Sequence, residues 1–313
     1  MAPTTPPEGE VLEYFKSCSN WGRWGNEDQL GTINYITPEK RKQAAALVKE
    51  GVSVGCSRLL AKEMAPDVFN PPLHFMTSSG ESFAGKKSQP KSLQAAGDFF
   101  GIAFHGFSVT HLDSLAHIFW DGKMYNGVSA EVVTTREGAT KGSIDLLNEG
   151  IVTRGVLLDI PKTRDVKWME TEDALYPEDL EAAEKACGVR VESGDVLFTR
   201  FGVLRQRNEE GPRDVSMRPG YHAACVPWFH EREIAILSSD GAQDKVPSGY
   251  DMVPMPVHQV GITAMGLWLL DNANLEELAA ACHRYQRWEF MLAIGPLRIH
   301  QGTGCPVNPI AVF

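Results

Sequence analysis

Two hydrophobic periods alternate along the chain. In "TRGVLLDIP", "GDVLFTRFG" and "EREIAILSSDG" apolar residues run almost without interruption between glycine, proline or charge, which predicts strands buried on both faces. Other stretches carry helical spacing. "TPEKRKQAAALVKEG" offers Thr37 as a cap, Pro38 at the first helical position, an apolar face from Ala44 to Val48 and a stop at Gly51. "YPEDLEAAEKACG" predicts a helix ending at Gly188, and "NLEELAAACHRYQ" an amphipathic one that turns Leu275, Leu278 and Ala279 inward.

Weaker patterns fill the rest. "VSVGCSRLL" reads as a strand, "GSIDLLNEG" as a short helix, "PVHQVGITAMGLWLLDN" as an interior helix or a helix plus a strand, and the segment from Trp288 to Phe313 as one or two final strands. Between Lys62 and Gly97, Pro, Ser, Gly and Lys without periodicity predict a long loop. Pro3, Pro6 and Pro7 predict a disordered arm over residues 1–10, with order beginning near Val11. No repeat and no shift of composition marks a linker, so residues 11–313 are expected to form one mixed α/β domain.

Composition narrows the function classes. A net charge of −10 over 313 residues, with Lys and Arg scattered, argues against nucleic-acid binding, and 43% hydrophobic residues suffice for a sizeable core. No apolar run reaches the roughly 18 residues that span a bilayer. "MAPTTPPEGE" lacks a basic start followed by an apolar stretch, so no membrane association and a cytoplasmic location are expected. The six cysteines, Cys18, Cys56, Cys187, Cys225, Cys282 and Cys305, form no CxxC pair and are read as reduced, buried thiols. GxGxxG and Walker patterns are absent from the sequence.

One segment departs from its surroundings. "FHGFSVTHLDSLAHIFWDGKMYNG", residues 104–127, concentrates three of the nine histidines beside two aspartates in otherwise apolar sequence. On a strand His111 and Asp113 face the same side and can chelate zinc, manganese or iron(II). His117 shares their parity but lies roughly 13 Å from Asp113 if the chain stays extended, so it must return by a bend. His105 lies about 20 Å from His111 on a straight strand, and Gly106 offers the turn that would shorten that distance. A satisfied core histidine beside a turn aspartate explains the bare HxD pattern equally well. His74, His222, His230, His283 and His300 have no patterned partner.

"THLDSLAH", "DGKMYNG", the upstream "WGRWGNEDQLGTIN" and the terminal "GCPVNPIAVF" resemble the metal-dependent cyclase family. That family includes bacterial kynurenine formamidases, isatin hydrolases and trans-dienelactone hydrolases, and its signature is HxGTHxDxPxH. The resemblance runs from about Asn20 to the C-terminus. It implies an α/β fold with a mixed sheet or barrel-like β core packed by helices, assembled as a homodimer or homotetramer. It also places a metal-binding histidine on His111, a metal-binding aspartate on Asp113 and the catalytic histidine on His117. The family's first metal-binding histidine falls on Phe107, its glycine on Val109 and its proline on Leu115. His105 replaces the lost ligand if the chain bends. Farther along, His258 matches another metal-binding histidine, and Asp271 stands where relatives carry glutamate.

What the resemblance implies is a hydrolase of a cyclic or aryl amide, lactam or lactone. One divalent ion, zinc or manganese, would activate water, and His117 would serve as general base. A cyclase, dehydratase or ring-opening enzyme with metal optional, and an inactive small-molecule binder supported by Phe107 and Val109, are the alternatives. Among aromatic residues that could line a substrate pocket, Trp21, Trp24, Phe107, Phe119 and Tyr125 are the candidates, although such residues also fill cores.

Overall fold

The computed structural model describes residues 4–84 and 93–313. Its centre is a nine-stranded mixed sheet that curls partway toward a barrel. Four parallel strands form the middle: Ile151–Asp159, Val196–Arg200, Ile236–Ser239 and Trp268–Asp271, neighbours in that order. The first three are the apolar runs read as strands and the fourth lies in the stretch read as an interior helix or a helix plus a strand; apart from Val152 their residues are buried. Antiparallel strands flank them: Glu289–Ile294, Ile310–Val312 and Ser53–Gly55 on one side, His111–Asp113 and Gly304–Pro306 on the other.

Local chemistry accounts for the helices. The Thr37 side chain accepts from the Lys40 amide at the start of Pro38–Ala45, and Gly188 ends Pro177–Cys187 in the left-handed conformation. The first of these helices stops at Ala45, well before Gly51, because the chain must reach the sheet edge, where the Glu50 and Gly51 amides both donate to the Phe313 carbonyl. "PVHQVGITAMGLWLLDN" resolves into a helical turn Pro256–Val260, a π-helical turn Gly261–Met265 and the strand Trp268–Asp271.

Two expectations are corrected. Order does not wait for Val11: a helix spans Glu8–Ser17, Pro6 is buried, and Tyr250 Oη donates to the Pro6 carbonyl at 2.9 Å. Prolines at the start of this segment set up the helix, since Pro7 holds the extended conformation of its cap. The stretch from Lys62 to Gly97 is not all loop either, because Leu73–Ser78 pairs antiparallel with Gly97–Gly101 in a hairpin. Most of the hairpin side chains are exposed, Phe75 and Phe99 stacking at 5.0 Å, so no buried face left a period-2 signature. Residues 1–3 of the expected arm and 85–92 of the expected loop lie outside the described residues. Among the described residues no helix is long and apolar enough to cross a membrane.

A buried ionic cluster ties a helix to the sheet. Fully buried Asp195 accepts from Arg154 at 2.6 and 2.9 Å and lies 2.6 Å from Lys40 Nζ, while Arg154 also reaches Glu289 at 2.8 Å. Asp195→Ala leaves two buried cations short of their shared counter-charge. We expect it to cost about 3–5 kcal/mol, read as a lower urea midpoint with an unchanged slope.

Candidate metal centre

Register begins the assembly of the site. On the antiparallel strands, Asp271 lies opposite His111 and Leu269 opposite Asp113, which places a carboxylate of one strand beside an imidazole of the next. The other donors arrive by turns. Ser114 breaks the strand, its side chain accepting from the Ala116 amide and its carbonyl from the His117 amide, so that His117 folds back over Asp113. Upstream, the backbone reverses at Gly106, whose φ of 152° a side chain rarely tolerates. Both expected bends are present.

Asp113 sits at the centre. His105 Nδ1 and His111 Nε2 lie 2.9 and 3.4 Å from its Oδ1, and His117 Nε2 lies 4.0 Å away. His258 Nε2 approaches the other oxygen, Oδ2, at 3.8 Å and stands 3.6 Å from Asp271 Oδ2. Asp113 is fully buried, yet neither of its oxygens accepts a hydrogen bond, and the 2.9 Å approach of His105 lacks hydrogen-bond geometry. A buried carboxylate left this way is costly unless a cation meets it. Donor atoms of His105, His111 and Asp113 lie within 4.8 Å of one another, as do those of Asp113, His258 and Asp271. These residues could hold a divalent ion.

Outer contacts aim the rings. His111 Nδ1 meets the Val109 carbonyl at 2.8 Å, His105 Nε2 meets Thr303 Oγ1 at 3.1 Å, and His258 Nδ1 meets Asp244 Oδ2 at 2.5 Å. In the tautomers that make the first and third of these bonds as donors, Nε2 of His111 and His258 faces Asp113 with a free lone pair. Asp244 is itself fixed by the Val257 and His258 amides, and Asp271 Oδ1 accepts from Gln243 Nε2 at 2.9 Å. Gly304 makes room: a Cβ there would fall 2.6 Å from the Leu112 carbonyl oxygen and 3.1 Å from the His105 ring.

Charge follows this packing. Burial alone would raise Asp113, but the imidazoles of His111 and His117 hold its carboxyl well below the usual range. Burial pulls His111 down, and the Asp113 and Asp271 carboxylates more than reverse it, to about 9. His258, likewise desolvated, is lifted well above its ordinary value by Asp244 and Asp271. His117 moves the other way, to about 4, because burial is reinforced by His105, His258 and His111 against the single pull of Asp113. Its ring stacks on His105 at 3.8 Å and makes no side-chain hydrogen bond among the described residues.

The sequence-predicted donors His105, His111, Asp113, His258 and Asp271 therefore converge, with His117 at their edge. Phe107, at the signature's first-ligand position, does not join them; it packs edge-on against Phe69 and under Arg218. The aromatic candidates divide. Tyr125 is corrected from pocket to core: it is 2% exposed, donates to Asp28 and packs against Gly266, because the "YNG" turn folds inward. Trp21 donates its indole N–H to the Thr263 carbonyl, Trp24 packs on Tyr35, and Phe119 is exposed two residues from His117.

Asp244, Gln243 and Thr303 were missed. The one available signal was the polar run from Asp240 to Lys245 directly after a buried parallel strand, where such sheets present functional loops.

A family model described as "Putative cyclase" matches residues 42–243. Among solved structures, one of a novel cyclase is 29% identical with a TM-score of 0.86, the match covering 99% of this chain and 100% of that one. Isatin hydrolase A from Labrenzia aggregata, bound to benzyl benzoate, is 18% identical with a TM-score of 0.59, covering 86% and 94%. A predicted metal-dependent hydrolase from Bacillus stearothermophilus is 11% identical with a TM-score of 0.51, covering 83% and 97%. No curated protein matches the sequence.

Asp244 orients His258 without reaching Asp113's oxygens, so its effect on metal should be graded. Asp244→Asn is expected to weaken binding of a divalent ion by about 10- to 100-fold, and His258→Ala to weaken it further, both read by metal titration of the chelator-treated protein.

Proposed function

The chain belongs to the cyclase family, and from that premise we propose that it is a metal-dependent hydrolase of a cyclic or aryl amide, lactam or lactone. The observation that carries the reading is Asp113, a fully buried carboxylate with no hydrogen bond and four imidazoles at 2.9–4.0 Å. Structures with the same fold bear the names isatin hydrolase and metal-dependent hydrolase, which supports the reaction class. Mixed nitrogen and oxygen donors suit zinc or manganese.

His111, Asp113 and His258 would hold one ion, with His105 and Asp271 completing its surroundings. The bound ion supplies polarisation of the substrate carbonyl and a lowered water pKa, from 15.7 toward about 7. His117 moves the protons. Its ring is 26% exposed and Nε2 has no hydrogen-bond partner among the described residues, so it is free to take a proton from the attacking water. As the C–N or C–O bond breaks, the same nitrogen returns that proton to the departing nitrogen or oxygen. Stacking on His105 keeps the ring in place through both transfers.

The inactive-binder alternative draws on Phe107 and Val109; His105, 2.9 Å from Asp113 Oδ1, offers a donor in place of one at position 107 and weighs against it. A homodimeric or homotetrameric assembly in the cytoplasm belongs to the same proposal.

Protein purified without chelator should contain about one zinc or manganese per chain, lost in His111→Ala and Asp113→Ala. A screen of lactones, lactams and N-formyl aryl amines should find a hydrolysed substrate. On it, His117→Ala should lower kcat by about 10²- to 10⁴-fold with the metal retained. Absence of metal under every condition, together with no hydrolysis in the screen, would sink the reading.

A further inference from the structure

Two arginines near the donor cluster are desolvated without a carboxylate to meet them. Arg58 is 8% exposed; its Nη1 and Nη2 donate to the Phe107 and Asp240 backbone carbonyls, and its Nε has no partner. Arg218 is half-buried, donates from Nη1 only to the Val215 carbonyl at 2.9 Å, and also leaves Nε unpaired. The other arginines that line the recess are matched, Arg207 with Asp67 and Arg213 with Glu170 and Glu210, as are buried Arg154 with Asp195 and Arg200 with Asp159 and Glu276, whereas half-buried Arg287, far along the chain, likewise leaves Nη2 unpaired. Among the described residues neither Arg58 nor Arg218 lies within ion-pair distance of an acid. Burial pushes both guanidiniums down, Arg58 to about 10. Acids act on them only from beyond ion-pair distance, Asp240, Asp67 and Asp271 on Arg58 and Asp244 and Asp271 on Arg218, and a desolvated cation without a contacting acid favours an anion that can reach it.

Both arginines line one recess that opens to solvent. Phe107, Met169, Val203 and Pro219 give it an apolar wall. The Arg218 guanidinium lies 4.9 Å from the centroid of the Phe107 ring, which leaves a planar cation and an aromatic surface side by side. The recess adjoins the donor cluster. Its wall includes Phe107, two residues after His105, and Asn272, next to Asp271; the Asn272 amide donates to the Gly106 carbonyl at 2.8 Å. A substrate seated in the recess can therefore extend toward Asp113.

We propose that Arg218 is the counter-ion for a carboxylate on the substrate, so that the enzyme acts on amides, lactams or lactones that carry an acid group, with Phe107 against their flat portion. The proposal rests on the hydrolase reading for the reaction, but not for the binding. Arg58, deeper in the wall, adds positive potential. A guanidinium presents two parallel donors to a carboxylate, which a neutral amide or alcohol cannot use equally. The residue exchange in the signature acquires a purpose here: with His105 beside Asp113, position 107 is released to shape the acid pocket.

Calorimetric titration of the metal-containing protein with benzoate, and with benzamide as its neutral counterpart, reads the binding directly. Benzoate should bind more tightly than benzamide. R218Q should weaken benzoate by about tenfold or more, and R218K should retain part of the affinity, with metal content and thermal midpoint unchanged in both. In parallel, the preference for N-formylanthranilate over formanilide in kcat/KM should collapse in R218Q. Equal binding of benzoate and benzamide, no benzoate binding, or an R218Q affinity within about twofold of the parent overturns the proposal. Loss of benzoate binding in R218Q without hydrolysis of any aryl amide leaves the anion site standing and removes the hydrolase reading.

Discussion

A carboxylate buried without hydrogen bonds is the constraint around which this molecule is arranged. Asp113 lies on a short strand between Trp268–Asp271 and Gly304–Pro306, so it cannot relax toward solvent. Two neighbouring strands hold its backbone while four imidazoles converge on its oxygens. Desolvation of that charge is offset by the groups that meet it, and apart from His111 they come from outside the strand. The turn at Ser114, the reversal at Gly106 and the helical turn bearing His258 each deliver an imidazole.

A second layer converts this cluster from a mere accumulation of histidines into an oriented one. The Val109 carbonyl, Thr303 hydroxyl and Asp244 carboxylate each engage the ring nitrogen that does not face Asp113. Asp244 is in turn held by two backbone amides, so the ring of His258 inherits the rigidity of the helix start. Among the described residues His117 has no such anchor, and its ring stacks on His105. That difference separates residues suited to holding an ion from the one suited to moving a proton.

The loop before the central strand serves two neighbouring places. The unusual backbone at Gly106 lets His105 reach Asp113. Gly304 on the adjacent strand leaves the space that the His105 ring occupies. Phe107, two residues on, turns to the recess of Arg58 and Arg218, so one short loop shapes both the donor set and the neighbouring pocket.

Three of the four parallel strands, the helix caps at Thr37 and Gly188, and the grouping of His111, Asp113 and His117 were legible in the sequence as local signals: apolar runs, capping chemistry and a motif whose spacing lies within one segment. His258, far along the chain, was suggested only by the family resemblance. The hairpin over Leu73–Gly101 was not legible, because exposed strands carry no alternation, and Tyr125 was misplaced, because burial depends on how a turn folds over Gly266. The orienting roles of Asp244, Gln243 and Thr303 were not legible for the same reason, although the polar residues after a buried parallel strand marked the loop that holds the first two. A hydrogen bond that orients a distant ring is fixed by strand register and loop direction, and those are set by packing across the whole sheet, not by any neighbour along the chain.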